Sequence, residues 1–272
     1  MRSSPSPRIH TCSSRGLAPV TSVFLMTLLG IADSRAGECT DTSEEIIVDR
    51  PDVTNSSVVV PQGSMQVENG LNLTDQRIAR VLDGTNTRLR LGIGGCTEFV
   101  LDLPDYSTSI GGTAPSGFSN VTPAIKHQLG PLSGNFDLSV TFGVGLPTGS
   151  PRVAGKGYQP YLQFPWSRDV GDGWQVSGMF TTFWYPRDPE LHTLFQPTFV
   201  IEREVTAHSD LFIEYVGAYS TRGGAQQQIN LGGASRITRL QQIDFHVALG
   251  LNELAPRYEV GVGYSIRWDH IL

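Results

Sequence analysis

From Ser64 to the C-terminus, large apolar or aromatic residues recur at every second position. The last such stretch, RYEVGVGYSIRW (257–268), places Tyr258, Val260, Val262, Tyr264, Ile266 and Trp268 on one side. Glu259, Gly261, Gly263, Ser265 and Arg267 fall on the other. A period of two is the signature of a β-strand whose faces meet different surroundings. NFDLSVTFGVGL (135–146) repeats it, with Phe136, Leu138, Val140, Phe142, Val144 and Leu146 opposing Asp137, Ser139, Thr141, Gly143 and Gly145. SMQVENGLNLT, TRLRLGI, TEFVLDL, NVTPAIKHQL, YQPYLQFPW, WQVSGMFTTFW, TLFQPTFVIER, DLFIEYVGAY, QQINLGGAS and LQQIDFHVALGL supply further strands between Gly, Pro, Asp and Asn clusters. The pattern predicts about twelve strands of roughly nine to eleven residues, the length of a tilted strand crossing a bilayer. No period of 3.6 persists after the N-terminal region.

A soluble sandwich also alternates, with shorter strands and a polar exterior. Two observations favour a membrane barrel. The connections alternate in length: DQRIARVLDGTN, PDYSTSIGGTAPSGF, PTGSPRVAGKG and YPRDPELH read as longer loops, and GGC, GPLSG and RDVGDG as tight turns. The aromatics of the apolar face also fall in two belts. Trp166, Trp174 and Trp268 mark one rim, and Tyr158, Trp184, Tyr219 and Tyr258 the other, as expected for rings at headgroup depth. Strands in hydrocarbon have no water to satisfy an open edge, so they must close, the first strand near Met65 meeting the last near Tyr264. The expected fold is all-β, an antiparallel up-and-down transmembrane β-barrel, with both barrel termini periplasmic.

The first 36 residues carry Arg2, Arg8 and Arg15, then an apolar stretch from Leu17 and small residues at Ser34 and Ala36. They read as a signal peptide of a Gram-negative exported protein. Residues 37–63 form a periplasmic N-terminal segment, and 64–272 the barrel. Cys39 and Cys96 remain in the mature chain, in an oxidising compartment and both on the periplasmic side. They form a disulfide that ties the segment across the mouth, or stay free; spacing alone leaves both open. A net charge of −6 gives no reason to expect nucleic acid, and no spacing suits a metal or cofactor.

DRPDVTNSSVVVPQGSMQVENG (49–70), GVGLPTG (143–149), IDFHVALGLN with the GVGYSIR ending, and Glu98 and Lys126 in their strand settings resemble the outer-membrane family of the MetA pathway of phenol degradation. The resemblance covers the chain from Asp49. It implies an outer-membrane channel or transporter for small molecules, in particular hydrophobic or aromatic compounds.

The inward face carries Arg88, Arg90, Glu98, Asp102, Lys126, Asp244, His246 and Arg267 as candidate lumen-lining residues. A three-residue GGC loop opposes Gly92 to Glu98 and Arg88 to Asp102, bringing Arg90 within reach of Glu98. These charges make either an ion-pair network filling a narrow barrel or a constriction that selects solutes by charge. Pairing Leu251 with Tyr258 sets Asp244 across from Ser265 with His246 beside it, the composition of a hydrolase triad. A cluster inside the lumen is out of reach of lipid substrates, so no enzymatic activity is expected. A barrel hydrolase and a purely structural barrel are the alternatives to a channel. The expected partners are outer-membrane lipid, a small solute and the barrel assembly machinery during biogenesis.

Overall fold

The computed structural model describes residues 44–187 and 190–271; the expected signal peptide and Cys39 lie outside the described residues. Among the described residues there is no helix. Fourteen strand segments form one antiparallel sheet: β1 (Met65–Asp75), β2 (Ala79–Gly94), β3 (Thr97–Asp102), β4 (Tyr106–Gly112), β5 (Gly117–Phe118), β6 (Thr122–Gln128) and β7 (Phe136–Gly145) in its first half. The second half holds β8 (Gln159–Gly171), β9 (Trp174–Arg187), β10 (Glu190–Thr206), β11 (Ser209–Ser220), β12 (Gly224–Thr238), β13 (Gln241–Gly250) and β14 (Tyr258–Trp268).

β2 is long enough to pair with β3 along one half, as Arg88↔Asp102, and with β4 along the other, as Ala79↔Gly112. β3 and β4 thus make one interrupted stave, and β5 with β6 another, so the fourteen segments close into a twelve-stranded barrel. Closure is the pairing of β1 with β14, from Met65↔Trp268 to Asp75↔Tyr258. No sheet edge is left for the bilayer to meet.

The parity read from the sequence decides what faces out. Val262, Phe142 and Phe245 are 53%, 58% and 54% exposed, while the inward Ser265, Ser139 and Glu98 are 0% exposed. Exposed apolar side chains on every stave form the lipid-facing surface. Tyr158, Tyr219 and Tyr258 lie toward one end with Trp184, and Trp174 and Trp268 lie at the end carrying residues 64 and 268. Trp166 also points outward, stacked on Phe136 at 5.9 Å, and its ring lies against Gly178, where a Cβ would approach it to 2.9 Å.

Connections at the end carrying residues 64 and 268 are short. In the 172–173 turn Asp172 and Gly173 have φ of 54° and 71°, as a two-residue hairpin turn matching strand twist requires. The GGC turn uses the same geometry, with Gly95 and Cys96 at φ of 58° and 61°. At the other end two expected loops are strand. DQRIARVLDGTN turns only at 76–78, and PDYSTSIGGTAPSGF contains β4 and β5. Beyond the bilayer both faces of a strand meet water, so backbone pairing continues without apolar alternation and looks like loop in a sequence. YPRDPELH likewise belongs to β9 and β10, apart from residues 188–189 outside the description. The longest connection is 146–158.

Candidate functional site

Residues 44–63 run inside the barrel. The segment enters beside the last strand, where Ile46 N–H donates to Arg239 O at 2.8 Å and Arg267 donates to Glu45 O at 2.9 Å. It leaves over β2, where the backbone of Val60 and Pro61 crosses Gly92 so closely that a Cβ there would lie 2.1 Å from Pro61 O. Gly70 and Gly263 flank the Arg50 side chain in the same way, with Arg50 atoms 2.3 Å and 2.6 Å from their ideal Cβ positions. These inward glycines make room for the segment.

One wall receives Asp49. Its carboxylate lies 3.0 Å from Arg88 Nη1, 3.3 Å from Arg90 Nη1 and 3.6 Å from Lys126 Nζ, and accepts the Ser56 N–H at 2.9 Å. Burial alone raises the Asp49 pKa, but Arg90, Lys126 and Arg88 outweigh it and hold the carboxyl well below its ordinary value. The wall itself pairs these cations with Glu68, Glu98 and Asp102: Arg90 to Glu68 at 3.2 Å and to Glu98 at 3.0 Å, Arg88 to Asp102 at 2.7 Å, Lys126 to Glu98 at 3.6 Å. The same cations also reach the segment, Arg88 Nη1 donating to Asn55 Oδ1 at 2.9 Å and Arg90 Nη2, which also donates to Glu98, to Val58 O at 3.1 Å.

The opposite wall holds the segment through Glu214 on β11. Its carboxylate accepts the N–H groups of Val53 and Thr54, each at 2.9 Å, and the Thr54 hydroxyl at 2.7 Å, while Asn230 donates from the wall at 3.0 Å. Thr54 also meets the Thr198 hydroxyl. Asp52, half-buried next in sequence, has its pKa raised well above the ordinary value by burial and then by Glu214 and Glu202. Arg50 reaches Asp244 at 3.4 Å, and Ser57 the Ser167 hydroxyl at 2.7 Å.

Two cavities flank the segment. One of about 520 Å³ opens among Asp137, Gln175, Glu202 and Asp210, and another of about 750 Å³ among Asn72, Asn86, Asp102, Asp105, Gln159 and Tyr185. Arg50, Asp52 and Asn55 line both. Next to the cationic wall the lumen is apolar. Val100, Ala124 and Tyr161 are buried together with Phe183 against them, Tyr161 and Phe183 at 5.6 Å and Phe183 and Tyr185 at 6.1 Å.

Of the residues singled out in the sequence, Arg88, Arg90, Glu98, Asp102 and Lys126 come together in one network, with Gly92↔Glu98 and Arg88↔Asp102 paired as expected. Arg267 lies apart from it, at the segment's point of entry, bound to Asp269 at 2.7 Å. Asp244 and His246 face inward on β13, but their expected register is corrected by two residues. Leu249, not Leu251, pairs with Tyr258, so Asp244 faces Gly263, His246 faces Gly261, and Ser265 faces Gln242. His246 Nε2 instead lies 3.3 Å from Glu259 Oε1. Cys96 is disulfide-bonded, and the proposed partner, Cys39, lies outside the described residues. Sequence reading missed the segment's own contributors, Asp49 to Ser57, and the inward aromatics Tyr161, Phe183 and Tyr185. The aromatics were readable: counting from Trp174, positions 183 and 185 fall on the inward side.

A closed barrel with an apolar exterior, aromatic residues toward both rims and a polar interior is a transmembrane β-barrel of the outer-membrane type. The chain belongs to the family described as "Putative MetA-pathway of phenol degradation", whose model matches residues 48–268. Among solved structures it is similar to an outer membrane channel from Pseudomonas putida F1, with a TM-score of 0.64 and 13% identity over 82% of this chain and all of that one. The NanC porin (TM-score 0.54, 6% identity, 74% of this chain and 98% of that one) and the KdgM porin (0.53, 10%, 74% and 98%) share the fold. A search of curated protein sequences gives no match.

Proposed function

We propose that the protein is an outer-membrane channel for small solutes, closed at rest by residues 44–63, with both barrel termini in the periplasm. The observation that carries this reading is the pair of cavities separated by one stretch of chain, Arg50 to Asn55, which lines both of them. A barrel with a purely structural role has no need of two water-accessible vestibules divided by a segment bonded to its walls through hydrogen bonds and ion pairs. Those contacts break individually, whereas the interstrand ladder breaks only with the fold. Similarity to a protein described as an outer membrane channel points the same way, and family membership together with the inward aromatic wall favours ring-bearing solutes.

Planar-bilayer recordings test the reading. Wild-type protein should conduct rarely, and an Arg50→Gln, Thr54→Val double variant, which removes the Asp244 ion pair and the hydroxyl held by Glu214, should open more often. Silence of both proteins toward salts and neutral solutes alike would remove the channel reading. Orientation is checked separately by labelling Ala154→Cys, in the 146–158 connection, with an impermeant reagent on intact cells. Labelling is expected, and its absence would place that end in the periplasm.

A further inference from the structure

Asp49 is held as a ligand is held. Three cations from two staves, Arg88 and Arg90 on β2 and Lys126 on β6, converge on one carboxylate that the wall does not supply. The wall is already balanced without it, Glu68, Glu98 and Asp102 standing against Arg88, Arg90 and Lys126. The lumen nevertheless favours a further carboxylate at this point: Arg88 Nη1 is not used by Asp102 and meets Asp49, while Arg90 Nη1 and Lys126 Nζ share themselves between Asp49 and the wall carboxylates Glu68 and Glu98. That Asp49 stays ionised despite full enclosure reports the same preference. When the segment withdraws, those donors lose their partner, and the site asks for another anion of carboxylate shape.

The neighbouring surface says what the anion carries. Val100 sits between Glu98 and Asp102 on the inward face of β3, and Ala124, paired with Val100, is two residues from Lys126 on β6. Tyr161 and Phe183 pack against these two. Tyr161 is kept flat on its stave by Gly143, where a Cβ would come within 2.4 Å of the ring. Tyr185 lines the same 750 Å³ cavity as Arg88 and Asp49. An apolar, aromatic strip thus adjoins a carboxylate position, and Tyr185, stacked on Phe183, joins that strip to a cavity of ordinary ligand size.

We infer that the position now held by Asp49 is a binding site for the carboxylate of a small aromatic acid, whose ring lies against Tyr161 and Phe183. The segment occupies this site as an internal competitor, and an arriving acid displaces it. This rests on the channel reading and gives it a solute class: the ligand that binds is the one that opens the path.

Calorimetric titration of full-length protein in detergent with benzoate tests the site without requiring flux. Asp49→Asn removes the competing charge and should bind benzoate about tenfold tighter than wild type, because more of the protein is competent to bind. Acetate, which lacks the ring, and benzyl alcohol, which lacks the charge, should bind more weakly than benzoate. Gluconate, a carboxylate bearing hydroxyls in place of the ring, should also bind more weakly. Lys126→Gln in the Asp49→Asn background should abolish the gain, and Phe183→Ala should weaken benzoate while leaving acetate unchanged. Heat-dependent electrophoretic mobility establishes that each barrel is formed. If Asp49→Asn does not form one, Thr54→Val, which loosens the opposite anchor, takes its place and should also bind tighter than wild type. Benzoate binding no tighter in a loosened variant, or matched by benzyl alcohol or gluconate, overturns the inference. If benzoate fails while salt conductance persists, the site falls and the channel stands; if benzoate binds and no variant conducts, the site stands and the channel falls.

Discussion

Glu214→Gln should unseat the luminal segment while leaving the barrel intact. The carboxylate accepts from Val53 N–H, Thr54 N–H, Thr54 Oγ1 and Asn230 Nδ2. A glutamine keeps the shape but replaces one acceptor by a donor. If the amide nitrogen takes the Oε2 position it faces Val53 N–H and Asn230; Val53 can share Oε1, already 3.1 Å away, and Asn230 can turn its amide. The net loss is therefore one charge-assisted hydrogen bond, about 2 kcal/mol. Relief of the repulsion between Glu214 and Asp52 works against this and places the cost at the lower end of the range. A difference of about 2 kcal/mol shifts the ratio of closed to open states roughly 30-fold. The assays are the fraction of time conducting in planar bilayers and the labelling rate of Ser57→Cys, whose native side chain is bonded to Ser167. Because the segment does not contribute to the interstrand ladder, heat-dependent mobility should not change. An unchanged labelling rate together with an unchanged open fraction would refute the assignment of Glu214 as an anchor.

Opening should also depend on pH. Asp52, facing Glu214, Glu202 and Asp49, has a raised pKa in the closed state, so its contribution to closure is complete at low pH and is lost as pH rises through that raised value. Asp49 runs the other way: its lowered pKa stabilises closure above about pH 4 and gives way only in stronger acid. Above the ordinary carboxylate range Asp52 governs, and the open fraction should increase with pH, a slope that Asp52→Asn should flatten. An equal slope in that variant would assign the effect elsewhere. Val262→Arg, on the lipid face, should hinder insertion by about 2 to 4 kcal/mol if its position lies near the midplane. Ser177→Arg, lining the 520 Å³ cavity, should insert normally, and equal insertion of both would contradict the assignment of faces. Cys96 is disulfide-bonded, and with Cys12 inside the expected signal peptide, Cys39 is its expected partner in the mature chain. Denatured, unreduced mature protein should then take up no thiol reagent, and labelling of both cysteines would disprove the pairing.

The wall was legible in the sequence because its rule is local. Tyr258 to Trp268 face outward for the same reason that Phe142 does, and a period of two needs no knowledge of the partner strand. Register was legible where a tight turn pins it, as at Gly95 and Cys96, which fixed Arg88 against Asp102. It slipped where the connection is longer: residues 251–257 allowed a displacement of two between β13 and β14. A shift of two preserves the faces, so His246 and Asp244 were placed inward correctly and against the wrong neighbours. The luminal segment was legible as something tied across the mouth that could partly occlude the lumen, but not the contacts that seat it inside the barrel. Asp49 to Val60 has no period, and its partners are distant, Thr54 meeting Glu214 across 160 positions. The glycines that receive it, Gly70, Gly92 and Gly263, look in a sequence like any glycine in a strand.

The end of β14 does two things at one corner. It zips to β1 and completes the wall, and in the same place Arg267 grips Glu45 O at 2.9 Å, Asp269 accepts from Ser64 at 3.0 Å, and Ile271 N–H donates to Gly63 O at 2.8 Å. Without this strand the barrel has neither a seam nor the latch that steadies the segment's entry. Seam and latch therefore stand or fall together: a change that frays the β1–β14 pairing at this corner also loosens the segment's entry, so the wall and what lies inside it share one fastening.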